Sequence, residues 1–119
     1  MKVLICGDLY YELKQEFAIN SNYFADVIVL QTSIDEIKSM TIEKINGVSI
    51  LFLSPELDDI ISFAKWMNRV NPVCQLIFIG NSYTMLPKIY ETKHAFFMVR
   101  EKVHSEFHQA MRCAIHNYK

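Results

Sequence analysis

Glycine is scarce in this chain, three in 119 residues, and so are proline and cysteine, also three each. Sparse glycine excludes the loops that cradle phosphate. A dinucleotide fingerprint needs glycines after the first strand so that a pyrophosphate can approach the backbone. Here that turn is Cys6-Gly7-Asp8-Leu9-Tyr10, one glycine followed by bulky residues, and no P-loop is present either. The cysteines Cys6, Cys74 and Cys113 are odd in number, far apart and each set in an apolar pattern, without a C-x-x-C pair. They read as buried reduced thiols and not as a disulfide framework. An excess of one charge is also lacking: 12 basic and 13 acidic side chains leave a net charge of −1, which gives no general electrostatic case for nucleic acid or membrane binding. The longest apolar run is well short of a membrane span. Met1-Lys2 leads straight into a strand-like Val3-Leu4-Ile5-Cys6 in place of a signal peptide. The expectation is a cytoplasmic protein.

What the chain has in quantity is apolar residues, 51% of the total, enough at this length for one domain over residues 1–119 with a real core. They fall in alternating patterns. Short apolar runs at Val3–Cys6, Val27–Leu30, Val48–Leu53, Leu76–Ile79 and Phe96–Val99 read as strands buried on both faces. Between them, Leu9, Leu13 and Phe17 recur at four-residue spacing, with Glu12, Lys14, Gln15 and Glu16 outward, and Asn20-Ser21-Asn22 stops that helix. Ser33 with Glu36 three residues on predicts a capping box, with Ile34, Ile37 and Met40 on the inner face. Ile60, Phe63, Ala64 and Met67 predict a helix to about Val70, ended by Asn71-Pro72. Pro87 confines the next helix to about Leu86–Lys93. Val103, Phe107, Ala110, Met111, Ala114 and Ile115 make one apolar stripe on the last helix. Five βα units of this kind predict an α/β fold, a doubly wound parallel five-stranded sheet in three layers.

In such a sheet, sites are built at the carboxyl ends of the strands. Those ends are Asp8, Ser54, Gly80 and Arg100, four positions that can converge on one crevice. Ser54 has no glycine-flanked nucleophile elbow. Cys6 ends the first strand, but no basic residue follows in the turn to stabilise a thiolate, and Asp8 opposes one. His104 and His108 stand at i, i+4, a spacing that can hold a metal; with no further ligands evident, they read as part of a solvated face. No catalytic arrangement emerges, and the expectation is a protein that is not an enzyme.

The five βα units, their spacing, and the segments Leu51-Phe52-Leu53-Ser54-Pro55-Glu56-Leu57-Asp58-Asp59, Phe63-Ala64-Lys65-Trp66-Met67 and Asn71-Pro72-Val73-Cys74-Gln75-Leu76-Ile77-Phe78-Ile79 resemble a response-regulator receiver domain of bacterial two-component signalling. The flavour is that of the LytTR-type transcription regulators. The resemblance covers essentially the whole chain and implies a flavodoxin-like strand order 2-1-3-4-5. Receivers carry two acidic residues after strand one for Mg²⁺; the matching positions here are Gly7 and Asp8. Their phospho-accepting Asp at the end of strand three is matched by Ser54, their Ser or Thr after strand four by Gly80, and their Lys after strand five by Arg100. The switch-aromatic position is Phe97. A serine hydroxyl without a neighbouring base is a poor nucleophile and cannot form an acyl phosphate, and two hard oxygen ligands for Mg²⁺ are gone. The implied function is that of a pseudo-receiver, a protein-interaction module with weak or absent Mg²⁺ binding and no cofactor. Alternatives are a phosphorylatable receiver using Asp58, Asp59 or Ser54, and a flavodoxin-like phosphocarrier using Cys6. The family's common dimer face, made of the fourth helix, fifth strand and fifth helix, corresponds here to Lys88–Tyr90, Phe97 and the exposed side of Val103 to Tyr118. A protein partner or a second copy is expected there, and Arg100 is expected to pair with Asp8.

Overall fold

Each apolar run forms a strand, and each is joined to the next by at least one helix. The computed structural model describes residues 1–118, and the Tyr118 side chain and Lys119 lie outside the described residues. In chain order the elements are β1 (Lys2–Cys6), α1 (Leu9–Ile19), β2 (Ile28–Thr32), α2 (Ile34–Lys38), α3 (Ile42–Asn46), β3 (Ile50–Leu53), α4 (Ile60–Val70), β4 (Gln75–Gly80), α5 (Leu86–Ile89), β5 (Phe96–Val99) and α6 (Val103–Tyr118), with a 3₁₀ turn over Arg100–Lys102 leading into α6. The strands form one sheet in the order β2-β1-β3-β4-β5, every pair parallel. This is the doubly wound fold expected from the pattern of apolar runs, with the strand order that the resemblance to receiver domains implies.

Because neighbours in register share a face, alternate residues of each strand build two separate cores. Val3, Ile5, Ile50, Phe52, Ile77, Ile79 and Met98 pack under α1 and α6. Leu4, Cys6, Leu51, Leu53, Leu76 and Phe78 pack under α2, α3 and α4. In the first core Phe107 of α6 meets Phe17 edge to face with centroids 4.9 Å apart and stacks on Phe52 at 6.4 Å. The stripe Ile60, Phe63, Ala64 and Met67 of α4 is buried in the second. The edge strand β2 is the exception to two-sided burial. Ile28 and Leu30 pair with Lys2 and Leu4 yet stay 60% and 45% exposed.

Four local expectations are corrected. The single helix expected after Ser33 is two five-residue helices, α2 and α3. The Ser39 hydroxyl donates back to the Glu36 carbonyl, and Thr41 starts a new helix by accepting the Lys44 N–H. Of the capping box, the half in which Ser33 Oγ accepts the Glu36 N–H is formed; the return bond, from the Ser33 N–H to the Glu36 carboxylate, is not, among the described residues. The helix expected over Leu86–Lys93 ends at Ile89, where the Thr92 hydroxyl takes the Ile89 carbonyl at 2.7 Å. Glu16, expected outward, is buried at 9% exposure because α6 lies beside α1 and sets His104 against its carboxylate.

A residue read only as a helix stop turns out to tie three segments together. Buried Asn71 donates from Nδ2 to the carbonyls of Ile45 and Val48, at 2.8 and 3.0 Å, and its Oδ1 accepts the Cys74 N–H. It joins the ends of α3 and α4 to the starts of β3 and β4, supplying the donor for the Val48 carbonyl, which burial otherwise leaves costly. It also adds a second bond to the Ile45 carbonyl and the Cys74 N–H, which have backbone partners as well. No helix among the described residues is long and apolar enough to cross a membrane.

Candidate functional site at the carboxyl edge

Parallel strands bring the turns after β1, β3, β4 and β5 to one edge of the sheet. A cleft of about 510 Å³ opens there, lined among others by Cys6, Gly7, Asp8, Ser54, Asp58 and Asp59, with Asp35 and Lys38 from the α2 side. A larger groove of about 690 Å³ runs along the outer side of α6. It is shallow and away from the strand ends, so the carboxyl edge is the candidate site.

Gly7 adopts φ +66° and its carbonyl accepts the Gln31 side-chain amide. A side chain at this position has open space but a left-handed backbone to support. Asp8 follows in the turn before α1. Its carboxylate is drawn to Arg100, whose Nη2 donates to Asp8 Oδ1 at 3.0 Å; the same guanidinium stands 3.5 Å from Glu12 Oε1. Arg100 is thus engaged by two carboxylates of the β1–α1 side.

Ser54 ends β3, half-buried. Its Oγ accepts the Glu56 N–H at 3.3 Å, closing a short turn. Beyond it, Asp58 and Asp59 are exposed. Asp59 stands at the N-terminus of α4 with φ 57° and without a side-chain cap bond. Among the described residues no three His, Cys, Asp or Glu side chains come close enough together to hold a metal ion. His104 meets the Glu16 carboxylate at 3.1 Å, and His108 packs on Tyr23 with Nδ1 3.5 Å from Asn20 Oδ1.

Gly80 does not line the cleft. It sits behind Pro55 and Glu56: a Cβ built on it would fall 2.9 Å from Pro55 Cγ and 3.2 Å from Glu56 Oε2. The other carboxylate oxygen of Glu56 accepts the Asn81 N–H at 2.8 Å. Phe97 is half-buried, its ring 6.0 Å from that of Tyr83. Of the positions expected at the edge, the fold therefore gathers Gly7, Asp8 and Ser54 around one cleft and links Arg100 to Asp8. Gly80 and Phe97 belong to the neighbouring β4–β5 side. Glu56, Asn81 and Glu12 were not singled out from the sequence. A lone Glu after a Ser-Pro turn carries no pattern that marks it, and Asn81 acts through its backbone.

Cys6 is 4% exposed, and burial, with the Glu36 charge as a smaller contribution, pushes its thiol up to about 12. Burial raises Cys74 to about 12 as well. Neither is a thiolate at neutral pH, the form a nucleophile requires.

No protein-family model and no curated protein sequence matches this chain. Solved structures do. RcsB from Salmonella enterica serovar Typhimurium, solved bound to promoter rprA in the presence of phosphomimetic BeF3−, aligns with a TM-score of 0.69 at 12% identity, over 94% of this chain and 66% of that one. The chain thus spans just under two thirds of that protein's length. Adenylate cyclase from Rhodopirellula baltica aligns with a TM-score of 0.69 at 17% identity, over 98% and 88% of the two chains. A CheY-like response regulator from Mesorhizobium loti aligns at 0.64 and 12%, over 95% and 97%. These likenesses establish the CheY-like, flavodoxin-like fold. At such identities the fold is all they establish, and the residues at the carboxyl edge carry the functional reading.

Proposed function

We propose that this domain is a pseudo-receiver, a protein-interaction module of a two-component-like regulator that is not phosphorylated at the usual position, acts in the cytoplasm and is not an enzyme. The observation that carries this reading is Ser54 at the end of β3. It has a hydroxyl where phosphotransfer to an acyl phosphate needs a carboxylate, and that hydroxyl is engaged in a turn with the Glu56 N–H. Its surroundings support the same reading. The one acidic residue matching the Mg²⁺ pair, Asp8, faces the Arg100 guanidinium, so a positive charge stands beside it and no second carboxylate comes from Gly7. The donor set at this edge does not fit a resident Mg²⁺, so weak or absent binding is part of the proposal. The LytTR flavour belongs to it too.

Function then lies in surface contacts. The face made of α5, β5 and the start of α6 exposes Tyr83 and Tyr90, 51% and 70% accessible, next to Lys88 and the half-buried Phe97. Aromatic residues are enriched in protein interfaces, which favours this face for a protein partner or a second copy.

A phosphorylatable receiver is the competing reading, favoured by the presence of Asp58 and Asp59 in the cleft with Ser54. Incubation with acetyl phosphate and Mg²⁺ followed by intact mass separates the two: an unchanged mass is expected, and an added phosphoryl group overturns the proposal. The phosphocarrier reading through Cys6 is disfavoured by the burial of that thiol.

A further inference from the structure

The contact between Glu56 and the β4 turn joins two loops that the sheet leaves separate. Glu56 Oε1 accepts the Asn81 N–H at 2.8 Å, and Gly80 lacks the Cβ that would press on Glu56 Oε2 and Pro55 Cγ. The held loop is itself internally bonded. Ser82 Oγ donates to Thr84 Oγ1 at 2.9 Å and accepts the Thr84 N–H at 3.3 Å, and the Tyr83 carbonyl accepts the Leu86 N–H at the start of α5. Tyr83 then reaches the far side: its ring lies 6.0 Å from Phe97, and Lys102 Nζ donates to its hydroxyl at 3.2 Å. A continuous set of contacts thus runs from the end of β3 to the start of α6.

We propose that Glu56 is a permanent internal ligand of the carboxyl edge: its carboxylate holds the 81–85 loop, and through Tyr83 the α5–β5 face, in one arrangement without an external anion. A carboxylate is an anionic, two-oxygen acceptor, and its bond to a backbone N–H is of the stronger, charge-assisted kind. Gly80 is the complementary half of the latch, because any side chain there competes with Pro55 and Glu56 for the same space. The consequence for partners rests on the interaction-module reading; the latch does not.

The test is amide hydrogen exchange and NMR on the full chain. Asn81 lies on an exposed loop, so protection of its N–H reports the Glu56 bond. In the native protein about tenfold slowing relative to the intrinsic rate is expected, from the strength of a hydrogen bond to a charged acceptor. In Glu56→Ala, Asn81 should exchange near the intrinsic rate and the Tyr83–Phe97 ring contacts should weaken. Glu56→Asp, whose carboxylate is one methylene short of the Asn81 N–H that Glu56 reaches at 2.8 Å, should produce the same signature and serves if Glu56→Ala folds poorly. An unprotected Asn81 in the native protein overturns the latch, as do Tyr83–Phe97 contacts that survive in both variants. Phosphorylation by acetyl phosphate would overturn the pseudo-receiver reading and leave this result untouched, so the two fail separately.

Discussion

At Gly7 and Gly80 the side chain is missing for different physical reasons. Gly7 has room for a Cβ but a φ of +66°, and Gly80 has its would-be Cβ position crowded by Pro55, Ser82 and Glu56. Restoring a receiver's acidic pair at Gly7 therefore works against the backbone: Gly7→Ala should cost about 1–2 kcal/mol in chemical denaturation, strain without a clash. Ser54→Asp alone should not restore phosphorylation by acetyl phosphate, since Gly7 still supplies no second hard oxygen ligand for Mg²⁺ beside Asp8; a phosphorylated Ser54→Asp protein would show that the surrounding residues still suffice. The thiols give a third residue-scale expectation. Folded Cys6 and Cys74 are raised to about 12 from an ordinary value of 9.0, so between those limits the folded state keeps protons that the unfolded state has released. Their contribution is intact below pH 9 and is lost as pH rises toward 12, by up to about 1.4 kcal/mol per pH unit for each thiol. Denaturation midpoints measured across this range should fall accordingly. At pH 8, native alkylation should label Cys113, the partly exposed thiol, ahead of the other two.

Among the elements, the helices with a long apolar stripe were legible in the sequence and the short ones were not. The apolar stripe from Ile60 and the run Phe96–Val99 coincide with α4 (Ile60–Val70) and β5 (Phe96–Val99), because periodicity over several turns, or an unbroken apolar run, reports burial directly. The α2–α3 break depends on the hydroxyls of Ser39 and Thr41 competing for backbone groups, a local choice that periodicity does not reveal. Nor does periodicity show that Asn71 ties the ends of α3 and α4 to β3 and β4; its side chain reaches backbone 23 and 26 residues away in sequence. Asn71→Ala should destabilise by about 1–3 kcal/mol by leaving the Val48 carbonyl without its donor, since the Ile45 carbonyl keeps the Val48 N–H and the Cys74 N–H keeps the Asn71 carbonyl. Phe107→Ala should cost about 3–5 kcal/mol by opening a cavity between Phe17 and Phe52. Both are read from urea midpoints. If Phe107→Ala costs below 1 kcal/mol, the core under α1 and α6 is not packed as described.

At the scale of the whole molecule, the alternation of strands and helices implies a doubly wound parallel sheet, whereas its strand order, 2-1-3-4-5, follows only from the resemblance to receiver domains and is the order observed. Assembly of the edge was only partly legible. Asp8 and Ser54 come together around the cleft and Arg100 reaches Asp8, as their places at strand ends imply. Gly80 is shut off by Glu56, a contact set by side-chain reach across two loops. A fold shared with structures as differently named as RcsB, an adenylate cyclase and a CheY-like regulator fixes no activity by itself. The claim that the domain works by contact and not by phosphotransfer is met most directly by intact mass spectrometry of the native protein after incubation with acetyl phosphate and Mg²⁺. An unchanged mass is predicted; a stoichiometric phosphoryl adduct, whether on Ser54, Asp58 or Asp59, would contradict it.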